Sequence, residues 1–303
     1  MTPQRVDITD RRYCPSAMGV AHDSLRGLLD AQRFTVGKWH RVQAPLADLL
    51  ASPGGARDRQ LLAGTRFNVL VRHQGHVFGF DEDEGLCGWL AETSLDADHL
   101  VTHRVESPGT HAYTKADIKS PEVAVLTCGA RVRVTGDDGV FAETPFGHIP
   151  SAHLRPVAMP SPDPVAIARG FLGTPYLWGG NSRAGIDCSG LVQVSRRACG
   201  LACPADSDVQ ALMPGQHLAV TETQPGDLLF WRGHVAMVTA KGQMIHANAH
   251  HMAVVEEPIA PAMARILAAG SRFLHALRTC SPKGPAGHKA RQGSQACGNG
   301  KQP

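Results

Sequence analysis

Apolar positions divide the chain into stretches of different rhythm. Between residues 41 and 156 short apolar runs recur at close intervals, separated by turn residues. An apolar run at 42–50 leads into the turn Ser52-Pro53-Gly54-Gly55, and runs at 60–65, 67–71, 76–80 and 87–90 come after it. A second series at 111–113, 123–126, 130–134, 140–144 and 146–150 repeats the scheme. Short strands with frequent turn signals predict two small all-β barrels, over 41–98 and 99–156. Ahead of them, residues 1–40 read as a leader. It has helical spacing over 23–33 (Leu25, Leu28, Leu29) and an extended piece at 33–36, and it could pack on the domains behind it.

The rhythm changes after a proline-rich linker at 157–164, a composition that predicts semi-extended chain. Asp163 followed by Pro164 is a helix start, and Val165, Ile167, Ala168 and Phe171 supply its inward face. Leu191, Val192, Val194 and Ala198 form a second helical stripe that stops at Gly200. A loop and a short helix over 202–210 come next. Strand-like runs then alternate with turns at 228–231, 235–238, 244–245 and 254–255, and a helix at 261–268 precedes a last strand at 273–277. Residues 165–279 thus read as one α+β domain. Residues 280–303 are mostly Gly, Lys, Gln, Ser and Pro, a composition that predicts a disordered tail.

Composition narrows the class. The 303 residues are 43% hydrophobic and 19% charged, with net charge +3 and 16 histidines, so the chain is an ordinary globular protein. The basic excess is too small to predict nucleic-acid binding. No run approaches the ~18 apolar residues that a membrane-spanning helix needs. The first residues lack the apolar core of a secretory signal, which gives cytoplasm as the expected compartment. There the eight cysteines are expected to be reduced. Their spacing contains no paired CxxC, and Cys199 and Cys203 read as small packed thiols.

Cys188 stands apart from the other cysteines. Gly179, Gly180 and Gly185 bring the chain to it as a loop, and the helical stripe begins just after it. A cysteine in the first turn of a helix meets unpaired N–H groups and the positive end of the dipole, which favour a thiolate. His234 and His246 lie in neighbouring strand-like runs, so the fold could present one as base and the other as its orienter. The Cys188 N–H is a candidate oxyanion donor. His246, His250 and His251 form a cluster that invites a zinc reading. A strand running into a loop, with no glutamate between the histidines, favours a cleft-lining loop instead, and no metal or cofactor is expected.

The motifs in order are Pro-Tyr-x-Trp-Gly-Gly (175–180), Asp-Cys-Ser-Gly-Leu-Val (187–192), Pro-x-Asp-Ser-x-x-Gln (204–210), Gly-Asp-Leu-Leu-Phe-Trp (226–231), Gly-His-Val (233–235) and Ile-His-Ala (245–247). Over roughly 164–278 this resembles the NlpC/P60 cysteine peptidases. The paired barrels resemble bacterial SH3 (SH3b) domains. The resemblance implies a multidomain protein: an α+β papain-like NlpC/P60 catalytic domain preceded by two small SH3b-like barrels. It implies Cys188 as nucleophile, His234 as base, His246 as orienter and the Tyr176 phenol as second oxyanion donor. In members that cut short wall peptides, the positions of Asp187 and Ser207 contact substrate, and a first-barrel acid seals the amine end; Asp58 is the nearest match here. Those members carry a tyrosine where this chain has Leu86. The expected partner is a small muropeptide, cleaved between γ-D-Glu and the diamino acid for recycling. An endopeptidase on intact wall, a non-catalytic binding module and an acyltransferase are the alternatives that the sequence leaves open.

Overall fold

The computed structural model describes residues 7–279; the expected tail at 280–303 lies outside them. The region expected as the first barrel is a single seven-stranded sheet. Its hydrogen-bonded order is Leu95–Ala97, Lys38–Val42, Arg66–His73, His76–Asp81, Cys87–Ala91, Leu46–Leu50, Arg57–Leu62. The apolar run expected at 42–50 is divided because Pro45 cannot donate a ladder hydrogen bond. Residues 103–156 form a three-stranded and a five-stranded sheet that close on Val105, Ala112, Leu126, Val132 and Ile149.

The leader departs from expectation. The helix read over 23–33 is one 3-10 turn, Asp23–Leu25. Gly27 lies just beyond it with φ 82°, a left-handed conformation that ends the turn before a stable helix can nucleate. Arg33–Thr35 is extended, as expected, and pairs in parallel with Val20–His22. Upstream, Tyr13 is fully buried in one apolar cluster with Val42, Leu49, Phe67 and Val77 of the first barrel. Ala205 and Val209 of the C-terminal unit belong to the same cluster. The leader is therefore a staple between two units.

The C-terminal unit is built on a six-stranded antiparallel sheet: Gly215–Leu218, Phe273–Thr279, Leu228–Trp231, His234–Ala240, Gln243–Asn248, Ala253–Pro258. Helix Cys188–Ala198 covers one face through Leu191, Val192 and Val194, against Leu228, Phe230, Val235, Met237 and Ile245. Helix Ile259–Ala268 covers the other, against Leu229, Trp231, Ala236, Val238 and Met244. Burial on both faces is why these strands read as continuous apolar runs. Pro164–Arg169 is the helix announced by Asp163, whose carboxylate accepts the Val165 N–H. The linker before it does not run free. Ser161 is buried; its N–H donates to the Ala198 carbonyl, and its hydroxyl binds Arg104 and Glu106 of the second all-β unit.

Candidate active site

Cys188 is the first residue of helix Cys188–Ala198, and Asp187 is its N-cap. Asp187 Oδ1 accepts the Gly190 N–H at 2.7 Å and the Ser189 hydroxyl at 3.1 Å, while Oδ2 accepts the Gly179 N–H at 2.9 Å. One carboxylate thus ties the helix start to the glycine loop before it. Gly179 has φ 68°, and a Cβ there would lie 2.7 Å from the Asp58 carbonyl oxygen. Only glycine lets strand Arg57–Leu62 of the first barrel approach this closely. The Gln60 N–H donates to the Gly179 carbonyl, and Arg57 donates to the Trp178 carbonyl. That docking delivers Asp58 to the site.

Behind it lies Arg59, with only 3% of its side chain exposed. Its guanidinium donates to Ser189 Oγ at 2.8 Å and to the Ala205 carbonyl at 2.6 Å, and it lies 3.7 Å from Asp187 and 3.5 Å from Asp206. The result is a cavity of about 280 Å³ lined by Cys188, Tyr176, Asp187, Ser207, Asp58, Trp178, Asp206, Asp208, Ser189, Gly233 and Arg12. The structure brings five of the seven expected site residues to this one cavity. The other two, His234 and His246, line a neighbouring cavity of about 230 Å³ with Asn248 and His250.

The histidines form a relay. His234 opens its strand just after the Gly233 turn, and its Nε2 lies 2.8 Å from His246 Nδ1. His246 Nε2 lies 2.7 Å from Glu257 Oε1, and Arg265 grips Glu257 with both terminal nitrogens, at 2.9 and 2.5 Å. Sequence reading missed Glu257 and Arg265. The available signal was local: Glu257 lies near the end of strand Ala253–Pro258, two residues beyond Val255, the cross-strand partner of His246. Period-2 geometry places it diagonally beside the imidazole.

Electrostatics corrects one expectation. Burial pushes the Cys188 thiol up to about 12, and the Asp187 carboxylate adds to the rise. The Val235 and Ser189 N–H groups and Arg59 pull the other way and do not win. Burial, then His246 and Arg265, holds His234 down to about 3. The resting pair is therefore a neutral thiol and a neutral imidazole, not the thiolate expected from the helix start. Among the described residues no hydrogen bond joins the sulfur to either ring; such contacts commonly tighten when substrate is bound. Burial, then Cys188 and Asp187, raises the Tyr176 phenol, which keeps its proton and can donate. Because the raised pKa leaves little thiolate at neutral pH, Cys188 is expected to react with iodoacetamide at pH 7 more slowly than free cysteine. The rate should climb as pH rises towards 11; peptide mapping by mass spectrometry, which separates Cys188 from Cys14 and Cys199, measures it.

Three further findings bear on the end of the cavity where substrate was expected. Asp58 is not free: Arg11 of the leader holds it by two hydrogen bonds, at 2.6 and 2.8 Å. Arg12 is held by Asp10, Asp206 and Asp208. Leu86 is buried in the apolar cluster around Tyr13 and does not line the cavity. His250 and His251 sit on the turn after strand Gln243–Asn248, and among the described residues no group of three or more His, Cys, Asp or Glu could hold a metal ion.

A cysteine at the first position of a helix and a two-histidine relay on the antiparallel sheet that the helix covers define a site of the cysteine–histidine type. Residues 173–269 match the NlpC/P60 family, and residues 49–95 match the bacterial dipeptidyl-peptidase SH3 domain. The chain carries an NlpC/P60 domain, the domain of the NlpC/P60 family cysteine peptidases, together with a bacterial SH3 domain. It is 33% identical over 194 residues to a γ-D-glutamyl-L-lysine dipeptidyl-peptidase of Bacillus cereus, covering 54% of this chain and 57% of that one. It is 28% identical over 184 residues to the protein of that name from Bacillus subtilis, covering 55% and 61%. Dipeptidyl-peptidase 6 of Lysinibacillus sphaericus matches at 37% over 84 residues, 28% of this chain and 31% of that one. The matched region thus spans between about a third and three fifths of these relatives' lengths. An NlpC/P60 family protein from Bacillus cereus superposes with TM-score 0.67 at 20% identity, over 80% of this chain and 99% of the other, which extends the likeness of fold beyond the matched domains.

Proposed function

We propose that this protein is a papain-like cysteine peptidase that hydrolyses the γ-D-glutamyl–diamino acid bond of short murein peptides with a free amine, as a step in their recycling. The observation that carries the reading is the shared cavity, where an SH3-type strand brings Asp58 to the end beside Cys188. On this reading the strand closes the amine end, so that a dipeptide precedes the scissile bond. As substrate enters, His234 takes the Cys188 proton and the sulfur attacks the carbonyl carbon. The oxyanion lies by the Cys188 N–H and the Tyr176 hydroxyl, and His234 returns the proton to the departing amine. Water, deprotonated by His234, then attacks the thioester carbonyl; the acid product is released as the C–S bond breaks, and His234 returns the proton to the Cys188 sulfur.

Asp58, Asp206 and Asp208 line the amine end, with Asp187 engaged mainly in holding the helix. A substrate ammonium replaces Arg11 on Asp58, exchanging one cation for another. An N-acyl group offers no charge in return, so Asp58 keeps Arg11 as its partner and the acyl chain gains no ion pair there. L-Ala-γ-D-Glu-diaminopimelate is therefore expected to be cut at least about tenfold more efficiently, in kcat/KM, than its N-acetyl form. Because Asp58 is partly exposed, screening keeps the factor modest. Mass spectrometry of both digests tests this. Equal cleavage would move the reading to an endopeptidase acting on intact wall.

A further inference from the structure

His246 is 1% exposed, and its Nε2 has two neighbours of opposite character. Glu257 Oε1, an acceptor, lies at 2.7 Å, and Asn248 Nδ2, a donor, lies at 2.9 Å. The Asn248 amide is fixed in that sense because its Oδ1 accepts the His251 N–H at 2.8 Å. The ring can satisfy one neighbour at a time. With the proton on Nε2, His246 donates to Glu257, and its bare Nδ1 accepts from His234 Nε2–H. With the proton on Nδ1, Nε2 accepts from Asn248, and His246 donates to His234 Nε2 instead. A neutral His234 then carries its proton on Nδ1 and has no lone pair left for the thiol.

We infer that Glu257, held by Arg265, is the positioning residue that keeps the His246 proton on Nε2 and thereby keeps His234 competent as a base. The charged and titratable groups around His246 are His234 from the preceding strand, Glu257 from the next, Arg265 from helix Ile259–Ala268 and His251 from the loop. Glu257 is the only anion among these. Burial works against its charge, yet Arg265 and His246 hold its carboxyl down to about 2, so it stays an acceptor across the working pH range. A charge-assisted hydrogen bond is roughly twice as strong as a neutral one, so the carboxylate outbids the Asn248 amide. No net proton leaves the relay: the Cys188 proton passes to His234 and later to the leaving amine, and the Nε2–H of each ring stays in place.

The kinetic half of this inference rests on the peptidase reading; the tautomer does not. Full-length protein labelled with ¹⁵N-histidine reports which ring nitrogen is protonated, with His246→Asn assigning the resonances. Wild type should show His246 protonated at Nε2. Glu257→Ala should switch it to Nδ1 and lower kcat about a hundredfold, with KM within threefold. Glu257→Gln restores an amide oxygen at the same place, so it should keep the Nε2 tautomer and lose only about tenfold in kcat; it also serves where the alanine variant folds poorly. Protonation at Nδ1 in wild type, an unchanged tautomer in Glu257→Ala, or equal kcat losses in both variants overturns the inference. If no muropeptide is cut by wild type, the peptidase reading fails, while the ring resonances still support or overturn the tautomer.

Discussion

The Cys188→Ala variant is expected to lose turnover of muropeptides by roughly ten-thousandfold or more, with an unfolding midpoint within a few degrees of wild type. In the proposed mechanism the sulfur is the atom that forms the thioester, and neither the oxyanion donors nor the aspartates can replace it. Its loss leaves the Asp187 cap and the Leu191, Val192 and Val194 packing untouched. Cys199→Ala and Cys203→Ala serve as controls. Both thiols are pushed up to about 11, by burial first, and neither lines the cavity. Equal inactivity in a folded control variant would refute the assignment of the nucleophile.

Asp187→Ala is expected to destabilise the protein by about 3–5 kcal/mol, the usual cost of removing one partner of a buried ion pair. The variant strips the acceptor from the Gly179 and Gly190 N–H groups and leaves the buried Arg59 with Asp206 and Glu84 as its remaining carboxylate neighbours. Denaturant unfolding measures this. Activity should fall steeply as well, because the helix start and the glycine loop both shift under Cys188. Asp187→Asn separates charge from shape. Its amide oxygen can still cap the helix, and removal of the carboxylate relieves the second cause of the raised thiol. The alkylation profile of Cys188 should therefore move to lower pH in Asp187→Asn. A profile that stays put would show that burial alone sets the thiol. A selective loss on free-amine peptides, with stability unchanged, would restore Asp187 to the amine-binding role that the sequence implied.

Features written in adjacent residues were legible from the sequence. Asp163-Pro164, the stop at Gly200 and the alternation through 228–238 each act within a turn or a strand, and each produced the expected element. Cys188, His234 and His246 were legible because loop, helix and strand signals agree around them. Arg12 with Asp206, and Arg11 with Asp58, were not legible. Their partners are brought together by the burial of Tyr13, and no periodicity encodes a contact between a leader and a helix so far along the chain. Glu257 carries no signal of its own in the sequence; the pairing of its strand with that of His246 brings it to the imidazole. The direction of the Cys188 shift was misjudged for a related reason: a helix start is visible in sequence, whereas the depth at which the fold buries it is not.

The staple formed by Tyr13 has a practical consequence for anyone dissecting this protein. A fragment cut at the limits of its recognisable catalytic domain, 173–269, would keep the nucleophile and both histidines. It would part with Asp58, Arg59 and Arg12, with strand Phe273–Thr279 of its own sheet, and with the apolar cover over Ala205 and Val209. Such a fragment would be a poor guide to selectivity, because Asp58 and Arg12 of the cavity wall lie outside it. The matched domains are separable in sequence, but the folded protein shares its packing and its cavity among them.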